Sequence, residues 1–478
     1  MNMKIRMRRT VCLMLAAVTF VAAALTMTSC GQKDETKDDR RVLKWEVLKA
    51  GYGSVPYEKV AEAFMKEHQD VLVKINFNPS ITDTTASRLE SNTNLADVYS
   101  FKSMESIKRW IAKGWVEPLD DVYAAELSNG KTVKDSMTGN AAEACSYNGT
   151  AYAIPEYVQV DGFVYNRSLF EQYGWEVPKT TTELEKLCKK ILADTEGKVA
   201  PIVYCGGAAD GYLYFAVENW VYEYEGISNL DTFYAYDSAE VFNPSNYKGK
   251  MYALQNLQKF FFDEGNYTMT GSTGMTHIVA QSKLIQGEAA MMLNGSWFEN
   301  EMSEVLKQNP DVEMGMFAVP EVSDSSGRVL HSEGYTTVED KRVIQASYGS
   351  YYFVPSNAAN KEDAKEFLKF LSEPEACEIY TRYSNAIRSF EYDLSPEAEA
   401  YADMSSFGKS ILNLASENYL YAPNVTSPIA IKGLTGFWSR GKTPYIDIRD
   451  GVETINQALQ SDYDYAVNNW NSWLDMVE

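Results

Sequence analysis

Histidine, paired cysteines and long apolar runs are what this 478-residue chain lacks. Its three histidines, His68, His277 and His331, stand far apart, and no two cysteines have CxxC spacing, so the sequence carries no metal-ligand motif and calls for no cofactor. Neither GxSxG nor HExxH occurs, which removes two local signatures of hydrolases. Basic residues are outnumbered, 44 against 66 acids, for a formal net charge of −22. That balance argues against nucleic acid, whose binding depends on neutralised phosphates, and against docking on anionic lipid. The one sustained apolar run, Val11 to Leu25, has fifteen positions with a threonine inside it, short of the roughly 20 that span a bilayer.

That run follows Arg6, Arg8 and Arg9 and ends in the small pair Thr28-Ser29, so residues 1–29 read as a cleaved secretory signal. Cys30 comes next, and the stretch resembles the lipobox of bacterial lipoproteins, with Met27 where the pattern usually has leucine. The resemblance implies a mature chain beginning at an acylated Cys30, held on the extracytoplasmic face of the cell membrane by more than one acyl chain, palmitate among them. Ordinary secretion with an incidental cysteine is the alternative. Removing residues 1–29 takes away four basic residues and no acid, leaving 40 against 66 and a net charge of −26. Residues 31–41, GQKDETKDDRR, have no apolar side chain and form a solvated tether.

About 450 residues remain, enough for two or three domains or lobes. Tyrosine (32) and tryptophan (9) are abundant, and each offers a flat apolar face with a polar edge, suited to stacking as well as to cores. Cys145, Cys188, Cys205 and Cys377 can be free or bridged, since export permits disulfides without requiring them. Leu43, Trp45 and Val47 alternate as a strand does; Tyr57, Val60, Ala61, Phe64 and Met65 recur at helical spacing; Val71, Val73, Ile75 and Phe77 return to period two. Strand, helix, strand over this length predicts a βαβ unit and a parallel sheet. Strand again at Ala96–Tyr99 and helix around Ile107–Ile111 continue the alternation. Thr180 with Glu183 has capping-box spacing ahead of the stripe Leu184, Leu187, Cys188 and Ile191, and Ala364, Phe367, Leu368 and Leu371 mark another helix. A last helix is expected from Asp462 onward, with Trp470 and Trp473 on its buried side. The fold class is α/β, built from at least two lobes.

From Asn148 to Leu187 the chain reads NGTAYAIPEYVQVDGFVYNRSLFEQYGWEVPKTTTELEKL. This resembles the extracellular solute-binding proteins of ABC importers, family 1, in the carbohydrate-binding group that includes maltose-binding protein. Segments LADVYSF with AKGWVEPLD, GEAAMMLNGSW, and GSYYFVPSNAANKEDAKEFLKFLSEPEA agree in the same order. The resemblance implies a periplasmic-binding-protein-like fold with a ligand cleft at the hinge between two discontinuous lobes. The N-terminal lobe is expected at 42–156 plus 354–384 and the C-terminal lobe at 161–347 plus 390–478, with crossings near 156–160, 348–353 and 384–389. It further implies a carbohydrate ligand, permease subunits of an ABC importer as partners, and a monomer without catalysis. Trp297 matches the cleft tryptophan that stacks on a sugar ring, Gln159 a polar position that is glutamate in the maltose-type member, and Tyr157 lies beside it. Phe101 and Lys102 fall on a cleft-facing loop, Tyr52 on a comparable one, and Tyr212 and Tyr214 in an aromatic segment of the second lobe. Gly349 and Ser350 belong to a crossing segment, and Tyr421 precedes a loop that matches less well.

Gly436–Thr443, GFWSRGKT, fits the nucleotide P-loop pattern, but two bulky aromatics fill the loop and Pro444 follows at once, where a helix should open. The competing functions are a secreted glycosidase, which needs two carboxylates about 5 to 10 Å apart that 66 acids cannot forbid, a surface adhesin, and a binding protein for a non-sugar solute.

Overall fold

The computed structural model describes residues 39–48, 51–207, 212–263, 265–423 and 436–475. The chain divides into two units, Met1–Arg41 and Val42–Glu478, and the buried apolar core belongs to the second. The signal segment and Cys30 lie outside the described residues.

The described residues hold thirteen strands, eleven of them in two main sheets and two, at 146–147 and 150–151, in a separate antiparallel pair. In chain order they are β1 (Arg41–Leu48), β2 (Val71–Asn78), β3 (Val98–Phe101), β4 (Ser146–Tyr147), β5 (Thr150–Ala151), β6 (Ile154–Pro155), β7 (Val158–Asn166), β8 (Ala200–Ile202), β9 (Ala289–Gly295), β10 (Met314–Phe317), β11 (Val343–Tyr348), β12 (Tyr351–Phe353) and β13 (Tyr419–Tyr421). The first sheet has the order β2-β1-β3-β12-β6 and the second β13-β11-β7-β9-β8, with β10 also on β7. β1 and β3 are parallel, as the strand-helix-strand pattern predicts. Both sheets are nevertheless mixed: β12 runs antiparallel to β3 and β6, and β7 antiparallel to β9, β10 and β11. The reason is local. β7 and β12 are reached from the other sheet through two-residue connectors, Glu156–Tyr157 and Gly349–Ser350, not through a helical crossover, so nothing forces them parallel.

Each sheet separates two apolar layers. Leu43, Trp45 and Val47 of β1 pack with the helices Val55–Glu67, Lys361–Leu371 and Pro374–Ser384, while Tyr99, Phe101 and Phe353 face the opposite layer with Met104, Ile107 and Trp110. In the second sheet, Phe163, Met291, Leu293 and Val343 meet the helices Thr181–Asp194, Leu213–Ala235 and Gly249–Phe261. Val160, Val164, Met292 and Ile344 meet the helices His277–Ile285 and Ser406–Glu417 on the other side. The helix Thr181–Asp194 begins as its sequence dictates: the Thr180 hydroxyl accepts from the Glu183 amide at 3.2 Å, and the Glu183 carboxylate accepts from the Lys179 amide at 2.7 Å. The helix Leu213–Ala235 is broken at Gly226 (φ 72°), where a β-carbon would sit 2.6 Å from the Tyr335 ring. Cys145, Cys188, Cys205 and Cys377 are all buried free thiols.

The last helix starts at Ile455, seven residues before Asp462, which is buried in its middle. Asp462 Oδ1 accepts from the backbone amides of Ser439 (2.8 Å) and Arg440 (3.3 Å), and the Lys250 ammonium lies 3.7 Å from Oδ2. The P-loop-like segment thus turns its amides toward a carboxylate of its own chain, with Phe437 and Trp438 buried beneath.

Candidate functional site

Where β6 passes into β7 and β11 into β12, the two connectors bind each other. The Glu156 amide donates to the Ser350 carbonyl at 2.8 Å, and the Gly349 amide donates to the Tyr157 carbonyl at 3.1 Å. A third segment joins through the Val158 amide, which donates to the Ile387 carbonyl at 2.8 Å. Below them a polar hub is buried: the Glu156 carboxylate accepts from Tyr57 (2.5 Å), Tyr380 (3.0 Å) and Ser100, and Arg388 donates to Tyr352 (3.1 Å) and to the Leu371 carbonyl (2.8 Å). Burial raises the Glu156 carboxyl above the ordinary glutamate range, while its three hydroxyl donors and the Arg388 charge pull the other way.

Above the connectors lies a cluster of aromatics drawn from both sheets. The Tyr157 ring covers Gly349 so closely that a β-carbon there would fall 1.9 Å from it, and the Tyr52 ring meets Tyr157 edge-on at 4.7 Å. Tyr52 and Ser296 hydroxyls are 2.8 Å apart and buried, and burial keeps the Tyr52 phenol protonated. Trp297 folds back over Gly295, where a β-carbon would meet its ring at 1.9 Å. The same indole stands 6.1 Å from Tyr212 and 5.8 Å from Phe215 and packs against the core of the first sheet. A flat, half-buried indole fixed this way, with hydroxyls at its margin, has the makings of a stacking platform.

Gln159 and Asp161 follow Tyr157 at period two along β7, on the face that carries Phe163. Gln159 Nε2 donates to Asp161 Oδ1 at 3.4 Å. Asp161 is 1 % exposed and its second oxygen has no hydrogen-bond partner. Burial pushes its carboxyl well above the aspartate range, and the nearby Glu218 adds to the effect. Glu218 keeps some accessible surface, yet burial alone raises its carboxyl to about 7.

Tyr52, Tyr157, Gln159, Trp297, Tyr212, Gly349 and Ser350 therefore lie in or beside one cluster. Phe101 does not. It is 2 % exposed, pairs with Tyr351 across β3 and β12, and packs on Trp110 at 4.8 Å, because a long-range strand covers what the sequence presents as a loop edge. Lys102 is exposed just beyond it. Tyr421 sits in the second sheet's core, donating to Asp231 at 2.7 Å and packing on Tyr222, and Tyr214 packs on Phe215 at 4.2 Å. Asp161, Glu218, Ser296 and Phe215 stand beside these residues and are not among those singled out from the sequence, although Asp161 and Ser296 fall within the matching segments. Two of them carry a signal of their own: a carboxylate inside the apolar strand VQVDGFV and another inside LYFAVENW. Among the described residues, no three His, Cys, Asp or Glu side chains gather as metal ligands would.

The sequence profile of the bacterial extracellular solute-binding proteins matches residues 50–376. The melibiose/raffinose/stachyose-binding protein MelE of Bacillus subtilis is 20% identical over 324 residues, covering 66% of this chain and 67% of that one. A multiple sugar-binding protein of Streptococcus mutans is 22% identical over 315 residues, covering 66% and 70%. Among solved structures, the GacH receptor of Streptomyces glaucescens superposes with a TM-score of 0.65 at 17% identity, covering 91% of this chain and 99% of that one. RafE of Streptococcus pneumoniae, solved in its apo form, gives 0.60 at 17% identity over 92% and 98%. At such identity the likeness is one of fold, the two-lobed arrangement of helix and sheet.

Proposed function

Because this chain belongs to the bacterial extracellular solute-binding protein family, we propose that it is the substrate-binding component of an ABC importer, capturing a mono- to oligosaccharide between its lobes and presenting it to the permease. The observation that carries the reading is the cluster where Trp297, from the second sheet, lies against the core of the first, with Tyr52 and Ser296 hydroxyls beside it. Sugars present C–H faces and hydroxyl edges, and an indole face with polar groups at its margin answers both. The relative named for melibiose, raffinose and stachyose supports that class of ligand. A ligand touching both lobes binds the closed form better, and closure advances by that difference in affinity.

The lobes in this reading are 42–156 with 354–384 and 161–347 with 390–478, consistent with the change of sheet at Glu156–Tyr157 and Gly349–Ser350. Family membership speaks for binding and against turnover, and for an extracytoplasmic address. Acylation at Cys30 completes the proposal. Isothermal titration against a panel of mono- to tetrasaccharides, with product analysis of each mixture, is the test. Micromolar or tighter binding of at least one sugar without product is expected, whereas product release would make it an enzyme and silence across the panel would remove the sugar.

A further inference from the structure

Asp161 stands in a row of positions that crosses the second sheet. It pairs with Gly295 on β9, and Gln345 on β11 lies one rung beyond the Ala346–Val160 pair, opposite it. Deeper along this face the side chains are apolar, Phe163, Leu293 and Val343; at this end they become hydrogen-bond acceptors. Asp161 Oδ2 and Gln345 Oε1 are both buried without a partner, on residues 1 % and 7 % exposed. Glu218 adds a third acceptor group from the helix Leu213–Ala235 packed on this face. Among the described residues donors are few: Gln159 Nε2 reaches Asp161 at 3.4 Å, one hydrogen of the Asn219 amide goes to the Phe215 carbonyl, the Tyr52 and Tyr212 hydroxyls stand within electrostatic reach of Asp161 but do not bond it, and no lysine or arginine of those residues acts on it. The unpaired Asn294 Nδ2 belongs to the opposite face by strand alternation. Gly295 contributes no side chain to the row, and the Trp297 ring spreads over it, so the acceptors adjoin the stacking platform.

Ionised, the two carboxylates would be buried acceptors without enough donors; a proton relieves this by removing the charge, whereas a bound cation with N–H groups relieves it by supplying hydrogens and the opposite charge. A hydroxyl brings one donor and two lone pairs that need donors in turn. An ammonium brings three donors, no acceptor and the missing charge.

We propose that Asp161, Glu218 and Gln345 form a subsite for a protonated amine, and that the captured saccharide is an amino sugar with its amine free. The proposal rests on the sugar-binding function proposed for the cleft. Its test is titration of the full mature chain at pH 7 with glucosamine, galactosamine and their β1,4-linked di- and trisaccharides, each against its N-acetylated and its 2-hydroxy counterpart. A charge-assisted contact predicts that one amine form binds at least about tenfold tighter than both counterparts. Asp161→Asn, and independently Glu218→Gln, should cut that preference to about threefold or less, whatever either change does to the affinity for neutral sugars. Having two variants at separate positions guards against one that misfolds. A neutral or N-acetylated sugar bound as tightly as its amine form would overturn the subsite and leave the importer reading in place. No binding of any sugar would overturn both.

Discussion

The hydroxyl of Tyr52, on the loop after β1, meets Oγ of Ser296, just past the end of β9, at 2.8 Å. This buried bond joins residues 244 apart and couples the first sheet's loop directly to the segment that holds Trp297. Removing it with Tyr52→Phe deletes one hydroxyl and keeps the ring against Tyr157. The expected loss is about 1 kcal/mol of closed-state stability, read as a roughly fivefold weaker affinity for the bound sugar with unchanged thermal stability of the separate lobes. Unaltered affinity would mean that this contact plays no part in closure.

Gly295 and Gly349 each lie under an aromatic ring, so alanine at either position tests what the ring does. Gly295→Ala must displace the Trp297 indole and Gly349→Ala the Tyr157 phenol, since no ring tolerates a carbon at 1.9 Å. Gly295→Ala is expected to reproduce Trp297→Ala, a loss of about 1 to 3 kcal/mol in ligand affinity, with a changed tryptophan emission spectrum. If Trp297→Ala binds sugar as the parent does while remaining folded by circular dichroism, the indole is not the platform.

Much of this arrangement is legible in the sequence because its causes are local. Alternation of Leu43, Trp45 and Val47 marks β1, and Thr180 with Glu183 marks a helix start, since the forces involved act within a few residues. Trp297 and the connectors emerge from segments whose order resembles a known family. Phe101 misleads for the opposite reason: its burial depends on Tyr351 and Trp110, and only the former's pairing across some 250 residues of chain closes over it. Asp462 misleads likewise, because its partners Lys250 and Ser439 are distant in sequence, and a carboxylate reads as a solvated helix end until they are brought to it. Asp161 carries a visible clue, a charge in an apolar strand, but its lack of a partner is a property of three dimensions.

Attachment through Cys30 has a simple check. Cys30→Ser is expected to release the protein from the membrane fraction into the medium or periplasm while sugar affinity stays the same, because every residue assigned to the candidate site lies beyond position 50. A variant that still sediments with membranes would show that something else holds it there.

Ligand-free stability should depend on pH in an uncommon direction. Burial raises the Glu218 and Glu225 carboxyls from 4.5 to about 7 and Asp161 upward as well, so across that interval the folded chain holds more protons than the unfolded one. Stability contributed by a raised carboxyl is present at low pH and lost as pH climbs through the folded value. Up to about 3 kcal/mol per glutamate is at stake. Thermal melts should fall between pH 5.5 and 7.5, and Glu218→Gln should flatten that fall and raise the midpoint at pH 7.5. A midpoint that rises steadily over the same range would contradict the burial of these groups.

The hub beneath the connectors makes the opposite kind of demand, for a charge to be kept. Arg388 is 2 % exposed, stacked at 5.4 Å over Tyr352 and 5.0 Å over Tyr380, and its charge acts on the buried Glu156. Glu156 sits in the first connector, Tyr352 in the strand that leaves the second, and Arg388 in the third segment, so one polar cluster touches all three of these segments. Arg388→Ala would leave Glu156 buried with three hydroxyl donors but no nearby cation and would remove the hydrogen bonds to Tyr352 and Leu371, a loss of about 1.5 to 3 kcal/mol. Glu156→Gln should cost less, since a neutral amide can still accept from Tyr57 and Tyr380. The decisive quantity is the coupling in a double-mutant cycle: if the two charges support each other, Arg388→Ala together with Glu156→Gln is less damaging than the sum of the single losses by about 1 kcal/mol or more. Strict additivity in denaturant unfolding would mean that Arg388 matters only as packing over its aromatic neighbours, and that the connectors are held by their backbone hydrogen bonds alone.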